Sequence, residues 1–319
     1  MVKLTIKDMK ILKELDFNAR QPISQIAKKV GLSNEVTGYR VKQLEKKNII
    51  TGYYPVIDLS KLGYLFCRVT FELEKVDSKV EEKFLEYAHS IPEVGWFIVR
   101  GNMNISLVFY AKNVAEAKEI VDKIYHNFYS VVKKKVPSIA TKIYHFRRNY
   151  LYETKDDDYI VWGEGIPVKI DEIDKKILTL LTKDVHILYT EIAKEVNLTS
   201  MAVMNRVKRM EKEKLILAYR CALNLDKLGY SHQKVVLYME NISPNRKKTL
   251  IQFLRVFPHT VYITEVLSSC DLEFELHIKS MSQFYEFLKK LRESFPEIKS
   301  FESFPFYREE IIRYIPGEF

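Results

Sequence analysis

The chain has 319 residues, 51 of them Lys or Arg and 42 of them Asp or Glu, which gives a formal net charge of +9 at neutral pH. That length suits two to four domains, and the positive balance favours a polyanionic partner without proving one. Three widely spaced cysteines argue against a disulfide framework or a thiolate metal site, so a reducing cytoplasm is expected. Charged residues run throughout the N-terminal segment, so we expect neither export nor membrane insertion.

Three short helices are predicted at the start of the chain. Thr5 with Asp8 three residues on has the pattern of a capping box. A second helix is predicted to begin near Pro22 and to end at Gly31, where a left-handed turn costs no strain. Ser33 is expected to cap a third helix. This arrangement is typical of a helix-turn-helix unit.

The third helix is predicted to turn Val36, Val41 and Leu44 inward. After it, residues 49–54 and 56–57 are predicted to form two short strands, a small wing that closes the motif.

From Leu65 onward the apolar period changes from helical spacing to two. Leu65, Cys67 and Val69 share one face, while Arg68 and Thr70 share the other, which predicts a half-buried strand. Further strands and helices follow in the order β-α-β-β-α-β, which is the ferredoxin-like unit.

The second half of the chain then repeats the same order of predicted helices and strands. Arg40 and Arg206 lie 166 residues apart, and Gly63 and Gly229 show the same offset. A constant offset of this length indicates one duplicated unit, so whatever the unit does, the chain does twice.

The predicted domains follow from the repeat. Residues 150–167, with a run of Asp156, Asp157 and Asp158, break the pattern and are predicted to be a linker with a solvated charge cluster. The domains are a winged helix-turn-helix at 1–60, a ferredoxin-like domain at 61–149, the linker at 150–167, a second winged helix-turn-helix at 168–226 and a second ferredoxin-like domain at 227–319. The fold class is therefore α+β.

These residues resemble the Lrp/AsnC ("feast/famine") family of transcriptional regulators. The resemblance is carried by Asp8-x-x-Ile11-Leu12, Ile26-Ala27, Leu32-Ser33-x-x-Val36, Arg40-Val41-x-x-Leu44-Glu45, Ile49-Ile50, Gly52-Tyr53 and Leu62-Gly63. The tandem form looks like double-length archaeal members. It implies a cytoplasmic regulator that binds double-stranded DNA and self-associates through its sensor domains. The family usually has Gly where this chain has Asn48 and Lys214.

Base contacts are expected from the early, exposed part of each third helix, which enters the major groove. The candidates are Asn34, Glu35, Thr37, Tyr39, Arg40, Ser200, Asn205 and Arg206. The recurring Arg40 and Arg206 equally suit a phosphate contact or a structural ion pair with Glu45 and Glu211.

The first unit is expected to dominate DNA binding. Residues 1–58 hold eleven basic and six acidic side chains, whereas residues 168–226 hold eleven and nine. Met201 and Met204 also make the second helix unusually apolar.

Phosphate contacts are expected from basic side chains beside the third helices. These are Lys28, Lys29, Lys42, Lys46, Lys47, Lys194, Lys208 and Arg209. A solvated helix face is the alternative for each of them.

In the resembled family an effector-sensing turn, usually Gly-x-x-Asp, joins the second and third sensor strands. Here the corresponding positions are Gly101 and Asn104 in the first copy and Ser268 and Asp271 in the second. An amino acid or another small molecule is the implied effector, and a plain capped turn is the alternative.

No catalytic residue, cofactor or metal site is predicted. The seven histidines lack metal-ligand spacing, and all of them, including His145 and His277 within strands, are expected to be isolated partners or surface residues.

An enzyme remains the rival interpretation. Siroheme decarboxylases look like this same double-domain family, and they resemble one another in placing His beside Tyr or Arg near the second sensor strand. The second copy has His259 and Tyr262, while the first has no histidine in the corresponding stretch, residues 92–96.

Overall fold

The computed structural model describes residues 3–74, 77–152, 158–317 and 319. The helices are α1 (Ile6–Phe17), α2 (Ile23–Val30), α3 (Asn34–Lys46), α4 (Ser78–Ser90), α5 (Val114–Phe128), α6 (Asn149–Tyr152), α7 (Glu172–Lys183), α8 (Tyr189–Val196), α9 (Ser200–Lys212), α10 (Leu225–Leu228), α11 (Pro244–Val256) and α12 (Met281–Ser294), with a 3-10 helix at Leu59–Leu62. The strands are β1 (Ile50–Ile57), β2 (Leu65–Leu73), β3 (Val94–Arg100), β4 (Ile105–Ala111), β5 (Val132–Phe146), β6 (Tyr159–Trp162), β7 (Ile216–Leu223), β8 (Ser231–Met239), β9 (Thr260–Leu267), β10 (Leu272–Ile278) and β11 (Ile298–Ile311). None of the helices described here could span a lipid bilayer.

The helix ends follow the predicted caps. Thr5 and Asp8 form the capping box of α1, and the repeat copy does the same for α7. Helix α2 ends at Gly31, whose φ of +66° is left-handed, and α8 ends at Asn197 with φ of +53°. Glycine adopts this conformation without strain, and asparagine tolerates it better than most residues. The duplicated helix-turn-helix pattern is confirmed at this level.

The predicted wing hairpin is wrong. Residues 50–57 form one continuous strand, β1, which pairs antiparallel with β7, its counterpart in the repeat; Tyr53 lies opposite Cys221. Because the partner strand comes from the other half of the chain, no local hairpin is needed to satisfy the backbone of β1. The two helix-turn-helix units also share one apolar core, in which Leu12 and Ile26 belong to the same cluster as Leu178.

The two ferredoxin-like units close into a barrel. Strand order is β2-β4-β3-β11-β8-β10-β9-β5, and β5 also pairs with β2, so eight strands form a ring with β6 added at the side of β5. Each unit contributes four strands, joined at the β3–β11 and β5–β9 seams. Helices α4 and α5 cover one unit with an apolar core, and α11 and α12 cover the other.

The predicted alternation along β2 is present, but its polar face does not meet bulk solvent. Val69 and Phe71 are buried under the helices, whereas Arg68 and Thr70 point into the barrel, where Thr70 is 4 % exposed. The period-two pattern identifies the apolar face correctly. It cannot distinguish open solvent from the interior of a closed barrel.

The predicted linker contains ordered structure. Strand β6 lies within residues 150–167 and pairs with the end of β5, and the Gly163 backbone N–H donates a hydrogen bond to Asp58 Oδ2 at 3.2 Å. Its composition suggested a free linker, but Ile160 and Trp162 bring enough apolar surface for a strand. Of the predicted solvated cluster, Asp156 and Asp157 lie outside the described residues. Asp158 is exposed, and its Oδ2 lies 3.4 Å from Arg147 Nη2.

Candidate functional site

The early parts of α3 and α9 carry most of the predicted base-contacting side chains at the surface. Asn34, Glu35 and Tyr39 are exposed on α3, and Ser200 and Asn205 are exposed on α9. An exposed amide or hydroxyl in this part of a recognition helix is positioned for base edges in a major groove. Base contact by these five residues stays a prediction.

Thr37 is wrong as a base contact. It is fully buried, and its hydroxyl donates to the Ser33 carbonyl at 2.8 Å. Thr37, Val41 and Leu44 form the inward face of α3 at the four- and three-residue spacing of a helix. Val36, predicted to face inward, is instead 42 % exposed, because the neighbouring Thr37 occupies the buried side.

The recurring arginines join helices within each unit. Arg40 Nη1 lies 2.9 Å from Asp8 Oδ1, and Arg206 Nη1 lies 2.8 Å from Asp174 Oδ1. These equivalent pairs connect α3 to α1 and α9 to α7. The predicted partner Glu45 instead accepts a 2.6 Å hydrogen bond from the Tyr53 hydroxyl. The structural ion pair is therefore present with a different carboxylate, and base contact by Arg40 and Arg206 stays a prediction.

The predicted phosphate contacts fall into two groups. Lys29 Nζ lies 2.7 Å from Glu14 Oε2, and Arg209 is held by the buried Asp174, so both are partly neutralised. The remaining six are exposed on the helix-turn-helix units: Lys28, Lys42, Lys46, Lys47, Lys194 and Lys208. These six are the better candidates for phosphate contact.

The two predicted effector turns lie at the end of the barrel away from the helix-turn-helix units. Asn104 Oδ1 accepts a backbone hydrogen bond from the end of β2 at 3.2 Å, and Asp271 Oδ2 accepts one from the end of β8 at 2.6 Å. Ser268 donates to a β5 carbonyl at 3.2 Å. A Cβ on Gly101 would lie 2.6 Å from Pro305 Cγ. The turn residues thus have structural contacts, and effector binding at them stays a prediction.

The barrel instead encloses a cavity of about 370 Å³, which we call the barrel cavity. Strands β1 and β7 form part of its wall, so it lies beside the sheet that joins the two helix-turn-helix units. Its chemically informative lining residues are Tyr54, Phe66, Arg68, Trp96, Tyr110, Ser138, His145, Arg148, Trp162, His232, Lys234, Tyr262, Glu275, His277 and Glu309. The volume lies in the range of small-molecule sites.

A charged network crosses one side of the barrel cavity. Glu273 pairs with Arg68, and Lys234 Nζ lies 2.8 Å from both Glu273 Oε2 and Glu275 Oε1. Burial by itself would raise the pKa of Glu273, but the charges of Arg68 and Lys234 outweigh it and lower the pKa to about 2. His232 Nε2 lies 2.9 Å from Glu275 Oε2. The acidic groups here remain ionised and compensated.

A second cluster, the arginine pair of Arg148 and Arg220, lies at the helix-turn-helix end. Both guanidinium groups donate to Oδ1 of the fully buried Asp16, at 2.6 Å and 2.8 Å. One carboxylate thus faces two cations. Among the described residues, Arg220 Nη1 is buried without a hydrogen-bond partner. With two guanidinium groups and one carboxylate, the cluster carries a net positive charge.

The histidines His145 and His277 line the cavity, which corrects the expectation of surface positions. His277 is 5 % exposed and bonds to the Tyr150 hydroxyl through Nδ1. His145 packs edge-on against Tyr262, and its Nδ1 is buried without a hydrogen-bond partner among the described residues. Burial, assisted by the Arg220 charge, lowers the pKa of His145 to about 3, so its ring is neutral.

His259 has both ring nitrogens engaged in structural contacts. Its Nδ1 donates to the His277 carbonyl at 2.6 Å, and Nε2 lies 3.1 Å from Gln283 Nε2. The enzyme alternative depends on His259 and Tyr262. Of these two residues, Tyr262 lines the barrel cavity and His259 does not. No cluster of His, Cys, Asp and Glu suited to a metal ion occurs within the described ranges.

Apart from Arg68, His145, Tyr262 and His277, the residues that line the cavity were not singled out from the sequence. A signal was present, because Glu273, Glu275 and His277 alternate with apolar residues on β10, and His232 and Lys234 lie two residues apart, on one face of β8. Oppositely charged polar faces on two strands of one sheet would pair across it.

Two family models match the helical segments of the chain. Residues 4–51 match a winged helix-turn-helix DNA-binding model, and residues 170–211 match an AsnC-type helix-turn-helix domain. Each match falls within one copy of the repeat.

Curated relatives match part of the chain. The HTH-type transcriptional regulator LrpA of Pyrococcus horikoshii is 34 % identical over 119 residues, which are 36 % of this chain and 81 % of that protein. The proline dehydrogenase transcriptional activator of Rhodobacter capsulatus is 32 % identical over 116 residues, 36 % of this chain and 75 % of that protein.

A solved structure is similar over nearly the whole chain. The siroheme decarboxylase NirDL, in co-complex with an iron-uroporphyrin III analogue, superposes with a TM-score of 0.64 and covers 97 % of this chain and 94 % of its own. The identity is 14 %, so the likeness is one of fold.

Proposed function

Because the chain belongs to the Lrp/AsnC family of transcriptional regulators, we propose that it binds specific sites in double-stranded DNA through both helix-turn-helix units, with its two halves acting as an internal dimer. The observation that carries this proposal is the sharing of one apolar core and of the β1–β7 sheet by the two units. A shared core holds the recognition helices α3 and α9 at a set separation. Such a separation is what a two-part site on a duplex requires.

Exposed cations support DNA as the partner. Lys42 and Lys46 lie on the exposed side of α3, and protein cations that replace the counterions of phosphates make affinity fall steeply with salt. The test is fluorescence anisotropy on a labelled duplex over a salt series. Changing Lys42 and Lys46 to Ala should weaken binding and reduce the salt slope by roughly two.

The matched control changes Lys118 and Lys123 on α5 to Ala, because these lysines lie on the outer face of a sensor unit. An equal loss in the control pair, or no affinity of the parent protein in dilute buffer, would overturn the proposal. Selection of bound sequences from a random library then identifies the site.

We further propose that the first unit contributes most of the affinity. Asn34 and Tyr39 present polar side chains, whereas Met201, which is 60 % exposed, makes the surface of α9 apolar. Changing Asn34 and Tyr39 to Ala should cost more affinity than changing Ser200 and Asn205 to Ala. A larger loss from the second pair would reverse the assignment.

An enzyme of the siroheme decarboxylase type is the second candidate. The full-length likeness to NirDL and the histidines around the barrel cavity favour it. Against it, the network cations Arg68 and Lys234 are already paired with carboxylates, so they offer little to a polycarboxylate tetrapyrrole. Incubation with siroheme, followed by visible spectroscopy, distinguishes the two. A regulator leaves the spectrum of unreacted siroheme in place, whereas decarboxylation converts it.

Self-association through the sensor units, expected from the family resemblance, stays a proposal. The outer helices α4, α5, α11 and α12 are the surfaces available for it. Sedimentation velocity over a concentration series measures it directly.

A further inference from the structure

We propose that the barrel cavity binds a small aromatic monocarboxylate. DNA binding by the helix-turn-helix units leaves this cavity without a role, although its volume of about 370 Å³ suits a small molecule.

The side chains that line the barrel cavity favour a ligand with a flat, apolar group. Phe66 is central to a group of aromatic rings, with centroid distances of 5.4 Å to Trp162, 5.8 Å to Tyr110 and 6.0 Å to Trp96. All four rings line the cavity. Stacked and edge-on contacts with such rings favour an aromatic ligand over an aliphatic one of equal size.

The charges favour one negative group. In the charged network, the cations Arg68, Lys234 and His232 are matched by Glu273, Glu275 and Glu309. The arginine pair, by contrast, shares the single carboxylate of Asp16. One ligand carboxylate would balance the remaining positive charge, whereas an ammonium group would add to it.

Hydrogen-bond donors lie at the same end of the barrel cavity as the arginine pair. The Tyr54 and Tyr262 side chains line the cavity near Arg148, together with the neutral ring of His145. Burial raises the pKa of Tyr262 well above its ordinary value, so its hydroxyl keeps its proton and can donate. Hydrogen bonds from neutral donors to a charged acceptor are stronger than those between neutral groups.

Occupancy can be measured without DNA, because the chain has two tryptophans and both line the cavity. The fluorescence of Trp96 and Trp162 should change saturably as phenylacetate is added to the full-length protein. Isothermal titration calorimetry should detect the heat of the same binding. Phenylacetamide has the same shape without the charge, and phenethylamine carries the opposite charge. We expect phenylacetate to bind at least tenfold more tightly than phenylacetamide, and phenethylamine to bind most weakly.

Variants locate the site. Tyr262→Phe removes one hydroxyl and should weaken the binding of phenylacetate about tenfold. The binding of phenylacetamide should be less affected. Ala140→Phe fills the cavity and should abolish binding of both compounds, since Ala140 lines it. Tyr285→Phe is the matched control, because Tyr285 is 61 % exposed on α12. Circular dichroism confirms that each variant is folded.

Three outcomes overturn the proposal: no saturable signal with phenylacetate, equal affinity for the acid and the amine, or undiminished binding in Ala140→Phe. Cyclohexylacetate binding as tightly as phenylacetate would overturn the aromatic preference.

Regulation through this site rests on the proposed function. Tyr54 and Pro55 of β1 and Ala222 and Leu223 of β7 line the cavity, so a ligand there touches the sheet that connects the DNA-binding units. Phenylacetate should therefore change the affinity for a selected duplex, and Ala140→Phe should remove that response. If the protein did not bind DNA, the proposal of regulation would fail, but the binding of phenylacetate measured by tryptophan fluorescence would be unaffected.

Discussion

At the scale of single residues, two positions have a backbone conformation that their side chains do not favour. Asn48 and Lys214 follow the third helix in each copy with φ of +54° and +59°. The resembled family usually has glycine at both, and the left-handed backbone gives the physical reason. Lysine lacks the local side-chain hydrogen bonds that let asparagine tolerate this region, so Lys214 bears the larger strain.

Lys214→Gly should therefore stabilise the protein by about 1 kcal/mol. The gain is measured as an increase in the free energy of unfolding by urea. Lys212→Gly, in the last turn of α9, is the matched control and should destabilise the protein by a similar amount, because its backbone is helical. Destabilisation by Lys214→Gly would contradict the argument from strain.

His232 should make stability depend on pH. Burial alone would lower the pKa of His232, but hydrogen bonds to Glu275 and Glu309 outweigh it and raise the pKa from 6.5 to about 9. The folded state holds this proton more tightly than the unfolded chain, so the contribution is complete below pH 6.5 and disappears as the pH rises to about 9.

His232→Gln should accordingly cost up to ~3 kcal/mol at pH 6 and much less above pH 9. Urea unfolding at a series of pH values measures the difference. His126→Gln, on α5, serves as the control for replacing a histidine elsewhere in the fold. A His232→Gln deficit that grows with pH would have the wrong sign.

At the scale of elements, local signals predicted what depends on local chemistry. The Thr5 capping box, the Gly31 helix end and the two-residue alternation of β2 were all visible in the sequence and are present in the structure. The partner of β1 was not visible, because nothing in residues 50–57 distinguishes a hairpin from pairing with a strand 166 residues away. The acidic partner of Arg40 was missed for the same reason: it lies on α1, not on the same helix.

Arg40→Met tests the role of that contact between elements. It removes the connection between α3 and α1, and since the pair is partly exposed, we expect a loss of stability of about 1 kcal/mol or less. Base preference in a site-selection experiment should be unchanged. Relaxed preference at one base position would instead assign Arg40 to base contact, which typically carries about 1–3 kcal/mol.

At the scale of the whole molecule, the interior of the barrel was the least predictable part. His145 and Arg148 come together with Tyr262 only because the β5–β9 seam joins the two halves. Neither half alone contains the cavity. The fold class of each unit could be derived from its own pattern, but the candidate site exists only in their combination.

This organisation predicts how the chain unfolds. Because both helix-turn-helix units share one core and both sensor units share one barrel, we expect a single cooperative transition. Tryptophan fluorescence, which reports the barrel, and far-UV circular dichroism, which reports all helices, should give coincident curves in urea. Two separated transitions would show that the halves are independent. A fragment of residues 1–149 should self-associate, because its β3 and β5 edges lack their partners.

Strand β11 also sets the order of events during synthesis. It pairs with β8 of its own unit and with β3 of the other, so it closes one seam of the ring, yet it leaves the ribosome after every other strand of the barrel. Until then, the nascent polypeptide carries an open β3 edge and an unfinished ring. The barrel cavity can therefore close only after β11 has been synthesised, whereas the β1–β7 sheet that joins the two helix-turn-helix units is complete once β7 has been made.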